Sequence, residues 1–400
     1  MSWSVEKLSS LCDIFTDGDW VESKDQSPEG VRLIQTGNVG EGVFKDRRDK
    51  GRFISIDTFN RLNCTEIFEG DCLVSRLPDP VGRSCLIPKT NDRMITAVDC
   101  TIIRLNKSQL LSEFFSYFTQ SCSYLASVES LTSGATRKRI SRKNLGEVSI
   151  PFPPIPEQQR IVAILDQAFA DIEKARANAE QNLKNARELF DSHAQNIFSQ
   201  KKDGWREKTL GELGKVSMCK RILKKQTSVA GDIPFYKIGT FGKTANAFID
   251  ADLYEEYKTR FSFPKVGDIL ISASGTIGRC VVYDGVPAYF QDSNIVWIDN
   301  SESLVLNEYL FHFYRVCDWN PSKGATISRL YNDDLRKIKI AFPSISEQQR
   351  LSKDIADLHK QNTSLQRIYE EKLKSLDELK KSLLQKAFTG ELTKNKGMAA

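Results

Sequence analysis

Few side chains in this 400-residue sequence are of a type and spacing that could do chemistry. Gly239-Thr240-Phe241-Gly242-Lys243-Thr244 ends like a phosphate loop, whose glycine amides and lysine cradle phosphates. Such a loop needs a glycine five positions before Gly242, and Lys237 stands there, so the segment reads as a turn. Asn320-Pro321-Ser322 begins like an amino-methyltransferase motif but lacks the second proline and the aromatic, and also reads as a turn. His193, His312 and His359 are isolated from one another and from any thiol or carboxylate at ligand spacing, which predicts solvated or seam-flanking histidines and no metal. The nine cysteines run from Cys12 to Cys317 without a Cys-x-x-Cys pair, so they are expected reduced and structural. No catalytic residue is assigned.

Cations do cluster. Arg47, Arg48, Lys50 and Arg52 form one group, Arg137, Lys138, Arg139, Arg142 and Lys143 a second, and Lys220, Arg221, Lys224 and Lys225 a third. Such runs repel unless they are solvated or face phosphates. Two matched loops add to them: Ser75-Arg76-Leu77-Pro78-Asp79-Pro80-Val81-Gly82-Arg83 and Ser272-Ala273-Ser274-Gly275-Thr276-Ile277-Gly278-Arg279. Each follows a strand, and Arg76, Arg83, Ser274, Thr276 and Arg279 are candidate donors into a DNA groove, where arginine to guanine is the commonest specific contact. The competing reading is a plain strand connection with surface arginines. Lys243 and Lys323 complete the candidate DNA contacts.

The elements that must position these residues come in pairs, because the chain is a half-chain repeat. Gly134-Ala135-Thr136 matches Gly324-Ala325-Thr326, and Leu145, Gln159 and Phe198 match Leu335, Gln349 and Phe388, all at an offset of 190. Upstream the offset drifts: Trp3 and Gly37 match Trp205 and Gly239 at 202, and Gly70-Asp71 matches Gly267-Asp268 at 197. The front of each half varies in length and the rear does not. Each front reads as short strands, 31–35, 71–75 and 100–105 in the first, 269–272, 280–283 and 295–298 in the second, with helices at 112–126 and 306–316.

The junction Phe152-Pro153-Pro154-Ile155-Pro156-Glu157-Gln158-Gln159-Arg160 recurs as Phe342-Pro343-Ser344-Ile345-Ser346-Glu347-Gln348-Gln349-Arg350. A long helix follows each copy. Pro156 suits a first helical turn, and Ser346 with Gln349 fits a capping box. Apolar residues recur at 3-4 spacing, including Ile161, Leu165, Ala168, Ile172, Ala175, Ala179, Ala186, Phe190 and Ile197 in the first helix. The second gives Leu351, Ile355, Leu358, Leu365, Tyr369, Leu376, Leu379 and Leu383. Both helices are close to neutral, with five cations against seven acids in 157–200 and nine against seven in 347–388. The net charge of +5 therefore lies on the globular parts and points them toward a polyanion. A 45-residue helix is on the order of 65 Å long. Running back antiparallel, the second helix would bury both seams and close a ring with a pseudo-two-fold axis.

The expected fold is α+β, with two β-rich globular domains separated by two antiparallel coiled-coil helices. The domains are 1–155 and 201–345, the helices 156–200 and 346–390, and the tail 391–400. No run is long and apolar enough to span a membrane, and the start lacks a charged lead with an apolar stretch, so a cytoplasmic protein is expected.

Together the duplicated proline-then-Glu-Gln-Gln-Arg junction, the Gly-Ala-Thr ahead of it, the Gly-Asp-x-Leu strand and Leu383-Leu384-Gln385-Lys386-Ala387-Phe388-Thr389-Gly390-Glu391-Leu392 resemble the DNA-specificity subunit of type I restriction-modification enzymes. The resemblance covers essentially the whole chain. It implies two target-recognition domains, each reading half of a bipartite asymmetric site in double-stranded DNA, with the helices setting the spacing. It also implies docking, through Pro156 to Arg160 and Glu347 to Arg350, of two modification subunits that bind S-adenosylmethionine and methylate adenine, and of two restriction subunits that use ATP and Mg. The chain itself would be non-catalytic and hold no cofactor. Pro154 and Pro156 stand where the second copy has Ser344 and Ser346, so the two docking surfaces need not be equivalent. The alternatives are a stand-alone nucleic-acid-binding coiled-coil protein and a nuclease with an unfamiliar site.

Overall fold

The computed structural model describes residues 3–134, 137–199, 203–320 and 329–394, and the chain divides into two compact units. Unit 1 comprises Met1–Ala179 and Glu371–Ala400, and unit 2 comprises Glu180–Glu370. Ala135, Thr136 and the second Gly-Ala-Thr at 324–326 lie outside the described residues, as do Pro321, Ser322 and Lys323.

In unit 1 the strand Ser4–Lys7 pairs antiparallel with Ser149–Phe152, fastening the start of the domain to the approach to the long helix. A four-stranded antiparallel sheet follows in the order Cys12–Asp17, Cys100–Leu105, Cys72–Ser75, Ser84–Leu86. A second sheet runs Gln26–Ser27, Arg52–Ile54, Val31–Ile34, Met94–Thr96, its last pair parallel. The central strands, Val31–Ile34 and Cys72–Ser75, are buried at every position, and the one charge among them, Arg32, is paired with Asp46 and Asp92. The helix expected over 112–126 is two, Ser112–Phe118 and Cys122–Ser130. Ser121 adopts extended geometry and its hydroxyl accepts the Tyr124 N–H at 3.2 Å, a helix cap in the middle of an unbroken apolar pattern. Periodicity alone does not register such a break.

Unit 2 repeats the plan. Arg206–Thr209 pairs with Lys339–Phe342, and a four-stranded sheet runs Gly214–Ser217, Ile295–Asn300, Ile269–Ser272, Cys280–Val282. A three-stranded sheet runs Phe248–Ile249, Ile233–Tyr236, Tyr289–Phe290, again with a parallel last pair. The repeat extends to single aromatic contacts. Phe388 packs on Phe114 and Phe118 in unit 1, with ring centroids 5.3 and 5.2 Å away, and Phe198 packs on Tyr309 and Phe313 in unit 2, at 5.0 and 5.6 Å.

The long helices span Ile155–Ser199 and Ile345–Phe388. In unit 1, Ile161, Leu165 and Ile172 are buried with Leu384 and Ala387, while Leu376 and Leu383 are half-buried. Arg176 there pairs with Asp377, and Lys380 lies 4.7 Å from the Phe169 ring centroid. In unit 2, Phe190 meets His359 at 5.0 Å, Arg187 meets Glu370 at 3.3 Å, and Asn362 donates to the Ala186 carbonyl at 2.5 Å. Leu351 and Ile355 are buried and Leu358 half-buried. Within each unit, rising numbers on one helix meet falling numbers on the other, so the pairing is antiparallel. Leu365 and Leu379, expected on the seam, are exposed. Asn362 takes the buried position three residues before Leu365, and Leu376 and Leu383 hold the contact on either side of Leu379.

The second long helix starts one residue before the expected cap. Ser344, not Ser346, stands at its N-terminus: its hydroxyl accepts the Glu347 N–H at 3.4 Å and its carbonyl the Gln348 N–H at 2.9 Å. Pro154 takes the same place in the first copy, its carbonyl accepting the Glu157 N–H at 2.9 Å. Pro156 sits inside the first turn, where no N–H is required of it.

Candidate nucleic-acid interface

The loops expected to project arginines are instead pegged by them. Arg83 is buried, and its guanidinium donates to four carbonyls: Val39 at 2.8 Å, Leu77 at 2.7 Å, Pro80 at 3.0 Å and Thr36 at 2.9 Å. Arg279 does the corresponding work in unit 2, donating to the Phe241 carbonyl at 2.8 Å. Arg76 is buried too, donating to the Val98 carbonyl at 2.5 Å and lying 3.4 Å from Asp17. Burial holds the pKa values of Arg76 and Arg83 below the ordinary arginine value. The Arg83 guanidinium is filled by main-chain oxygens and supports its loop rather than projecting from it. Arg76 is buried with a single main-chain bond, its Nε lying beside Asp17 without a hydrogen bond, and Arg279 is half-buried with one main-chain bond. Ser274 donates to Asn294 at 2.9 Å, and Thr276 is exposed at the loop tip.

The basic groups are exposed, but unit 1 compensates much of its charge. Arg48 pairs with Asp92 at 2.6 Å, Arg139 with Asp99 at 3.0 Å, and Lys138 with Glu129. Arg47 and Arg137 are exposed beside them. In unit 2 Lys220 lies 4.9 Å from the Phe261 ring centroid, Arg221 pairs with Asp292 at 2.9 Å, and Lys224, Lys225 and Lys243 are exposed. The segment holding Lys243 is the turn its sequence indicates, closed by the Lys243 N–H on the Thr240 carbonyl at 2.9 Å. Arg221 and Lys224 converge with Lys237 and Arg329 on one recess that Gln291 and Asn294 also line. Sequence reasoning missed Lys237, Gln291, Asn294 and Arg329. Only Arg329 carried a signal, as the copy of Arg139 at the constant offset of 190.

At the helix junctions the two copies have the same burial pattern, residue for residue, from 151 to 160 and from 341 to 350. Gln158 and Gln348, expected on a docking surface, are fully buried. Gln158 accepts the Leu111 N–H at 2.9 Å and donates to the carbonyls of Gln109 and Pro153, both at 2.8 Å. Gln348 accepts the Leu306 N–H at 2.9 Å and donates to Leu304 at 2.9 Å and Pro343 at 3.0 Å. Both are internal clamps joining the long helix to the helix that covers the sheet. Pro156, Gln159, Arg160, Gln349 and Arg350 remain exposed, while Glu157 and Glu347 are half-buried. The long helices also expose Leu189 (68 %) and Ile368 (54 %), large apolar side chains that no internal packing accounts for.

Among the described residues no His, Cys, Asp and Glu cluster is placed to hold a metal. His312 is buried in unit 2 rather than solvated, and burial, with help from Arg315 and His359, pushes its pKa down to about 4. Its ordinary value in the unfolded chain is higher, so unfolding takes up a proton below about pH 6.5. The stability gained by holding His312 neutral is therefore complete above that pH and is lost as pH falls toward 4. Thermal unfolding at pH 7 and pH 4.5 should show the His312→Gln variant losing about 2 kcal/mol less than wild type across that interval. Equal losses would mean the histidine is not held neutral.

No helix among the described residues is long and apolar enough to cross a membrane. Residues 2–181 and again 202–374 match the family described as type I restriction modification DNA specificity domain. A type I restriction enzyme specificity subunit of Haemophilus influenzae is 44% identical over 252 residues, covering 61% of this chain and 63% of that protein. The StySPI specificity subunit of Salmonella potsdam is 24% identical over 307 residues, covering 70% and 65%. The chain thus spans less than two thirds of the length of both relatives. Two solved chains share the fold. One, from work on complex assembly and conformational transition of the type I R-M system, has a TM-score of 0.81 at 20% identity over 98% of both chains. The HsdS subunit from Thermoanaerobacter tengcongensis has a TM-score of 0.64 at 19% identity, covering 98% and 97%.

Proposed function

The chain belongs to the type I restriction modification DNA specificity family, and on that premise we propose that it is the DNA-reading subunit of a type I restriction-modification complex. Each globular domain reads one half of a bipartite, asymmetric double-stranded target, and the paired long helices set the gap between the halves. The chain is non-catalytic and works in the cytoplasm. S-adenosylmethionine belongs to two modification subunits, and ATP with Mg to two restriction subunits.

The observation that carries this reading is a repeated frame under a changed surface. The clamps Gln158 and Gln348 and the pegs Arg83 and Arg279 recur in place. Strand pairing aligns the rest: Ile34 faces Thr96 as Tyr236 faces Phe290, and the turn closed by Glu22 and Asp25 matches that closed by Leu223 and Gln226. On that alignment Trp20, Ser23 and Gln35 stand where unit 2 has Arg221, Lys224 and Lys237. Constant support with different exposed chemistry is what two readers of different sequences require. Leu189 and Ile368 favour a partner-bound chain over a stand-alone binder, since exposed apolar side chains on a helix suit burial by another subunit.

The test is to co-express the chain with the modification subunit of its own system and map methylation on DNA. Co-elution and methylation confined to a two-part, gapped sequence is the expected result. A chain that elutes alone and ignores gapped sites is a stand-alone binder. Sustained cleavage or methylation by the isolated chain makes it an enzyme.

A further inference from the structure

The recess in unit 2 is lined by four cations, Arg221, Lys224, Lys237 and Arg329, against one carboxylate, Asp292. The two guanidiniums are held in place without being used up. Arg221 Nε donates to Asp292 at 2.9 Å, and Arg329 Nη2 donates to the Ser293 carbonyl at 2.9 Å. Ser293 has a φ of 61°, a left-handed conformation that a serine seldom takes and that shapes the turn receiving Arg329. The ammonium of Lys237 lies 5.9 Å from the Phe235 ring centroid, and no acid among the described residues pairs with Lys237 or Lys224. Asn294 Oδ1 accepts from Ser274 at 2.9 Å, anchoring that amide at the rim.

The corresponding position in unit 1 carries other side chains. The Ile140 N–H donates to the Arg76 carbonyl as the Leu330 N–H does to the Ala273 carbonyl, which makes Arg139 the counterpart of Arg329. Trp20, Ser23 and Gln35 replace the other three cations, and Arg139 is paired with Asp99 at 3.0 Å. One position thus carries a formal excess of three positive charges in unit 2 and none in unit 1.

We propose that the unit 2 recess seats a backbone phosphate group of duplex DNA and that the equivalent position in unit 1 does not, so the two domains hold DNA by different physics. This inference rests on the DNA reading proposed above. Unit 2 supplies salt-sensitive, sequence-independent grip through ammonium and guanidinium groups. Unit 1 presents at the same place an exposed indole, Trp20, and a neutralised arginine, whose contacts depend little on counterion release.

The experiment needs no knowledge of the target. Binding of the full chain to a 40-base-pair duplex pool of random sequence is measured by fluorescence anisotropy across a salt series. The logarithm of the binding constant should fall linearly with the logarithm of salt, by roughly 0.9 per neutralised phosphate. Lys237→Gln and Lys224→Gln, both at exposed positions, should each lower that slope by about one, and the double variant by about two. Gln35→Ala in unit 1 should leave it unchanged. Wild-type binding with an unaltered slope in the lysine variants overturns the recess proposal alone, as does an equal slope change from Gln35→Ala. No binding by the wild-type chain overturns the DNA reading itself and the inference with it.

Discussion

Replacing Gln158 by leucine is expected to cost unit 1 about 3 kcal/mol or more of stability, and Gln348→Leu the same for unit 2. Leucine has nearly the right volume but can neither accept nor donate. The Leu111 N–H loses its acceptor and the carbonyls of Gln109 and Pro153 lose their donor. An unpartnered buried polar group costs about 1–3 kcal/mol, so three together make this among the most damaging single changes available to the fold. For units of this size the loss is a shift of roughly 6–12 °C in melting temperature. Chemical denaturation measures it, and a variant within about 1 kcal/mol of wild type would show the clamp to be dispensable. Gln158→Glu adds a finer test. A carboxylate there can still accept from Leu111 but faces two carbonyls, whereas its protonated form can donate to one of them. The glutamate variant should therefore recover part of its stability as pH is lowered, which the leucine variant cannot do.

The second large effect concerns spacing. Adding one heptad to both long helices, after Ala179 and after Glu370, keeps the apolar seam in phase and lengthens each helix by about 10 Å. If the helices set the gap between half-sites, the original target then satisfies one reader at a time, and affinity for it should fall at least about 100-fold. A panel of duplexes with altered gaps, measured against both proteins, checks this. Unchanged affinity at the original gap in the lengthened protein would remove the helices as the determinant of spacing.

How far the sequence disclosed this architecture depends on the kind of signal. The repeat, the strands around Val31, Cys72 and Ile269 and the two long helices announce themselves through offset and periodicity, because burial of one face imposes a period on residue type. The roles of single polar residues were not legible. Gln158 and Gln159 are adjacent and identical, yet one is a fully buried clamp and the other is exposed. Nothing in a glutamine's chemistry marks which main-chain groups it will meet. Arg83 and Arg279 are conspicuous for a shared position after a strand, yet Arg83 spends its donors on four main-chain carbonyls and Arg279 places one there. An arginine's five donors serve carbonyls as readily as bases, and only burial distinguishes the two. The unit 2 recess was missed because it is assembled from four separate stretches, around Arg221, Lys237, Asp292 and Arg329, and folding alone brings them together.

The arginine pegs bear on how such a protein can change its target. Arg83 grips the main chain of Thr36, Leu77, Val39 and Pro80, and a carbonyl oxygen is the same whatever side chain it accompanies. The support beneath the loops is therefore blind to residue type at most positions it holds. Exposed side chains there are free to mutate one at a time while the backbone that displays them stays put. A new specificity can arise by editing the text and leaving the page intact.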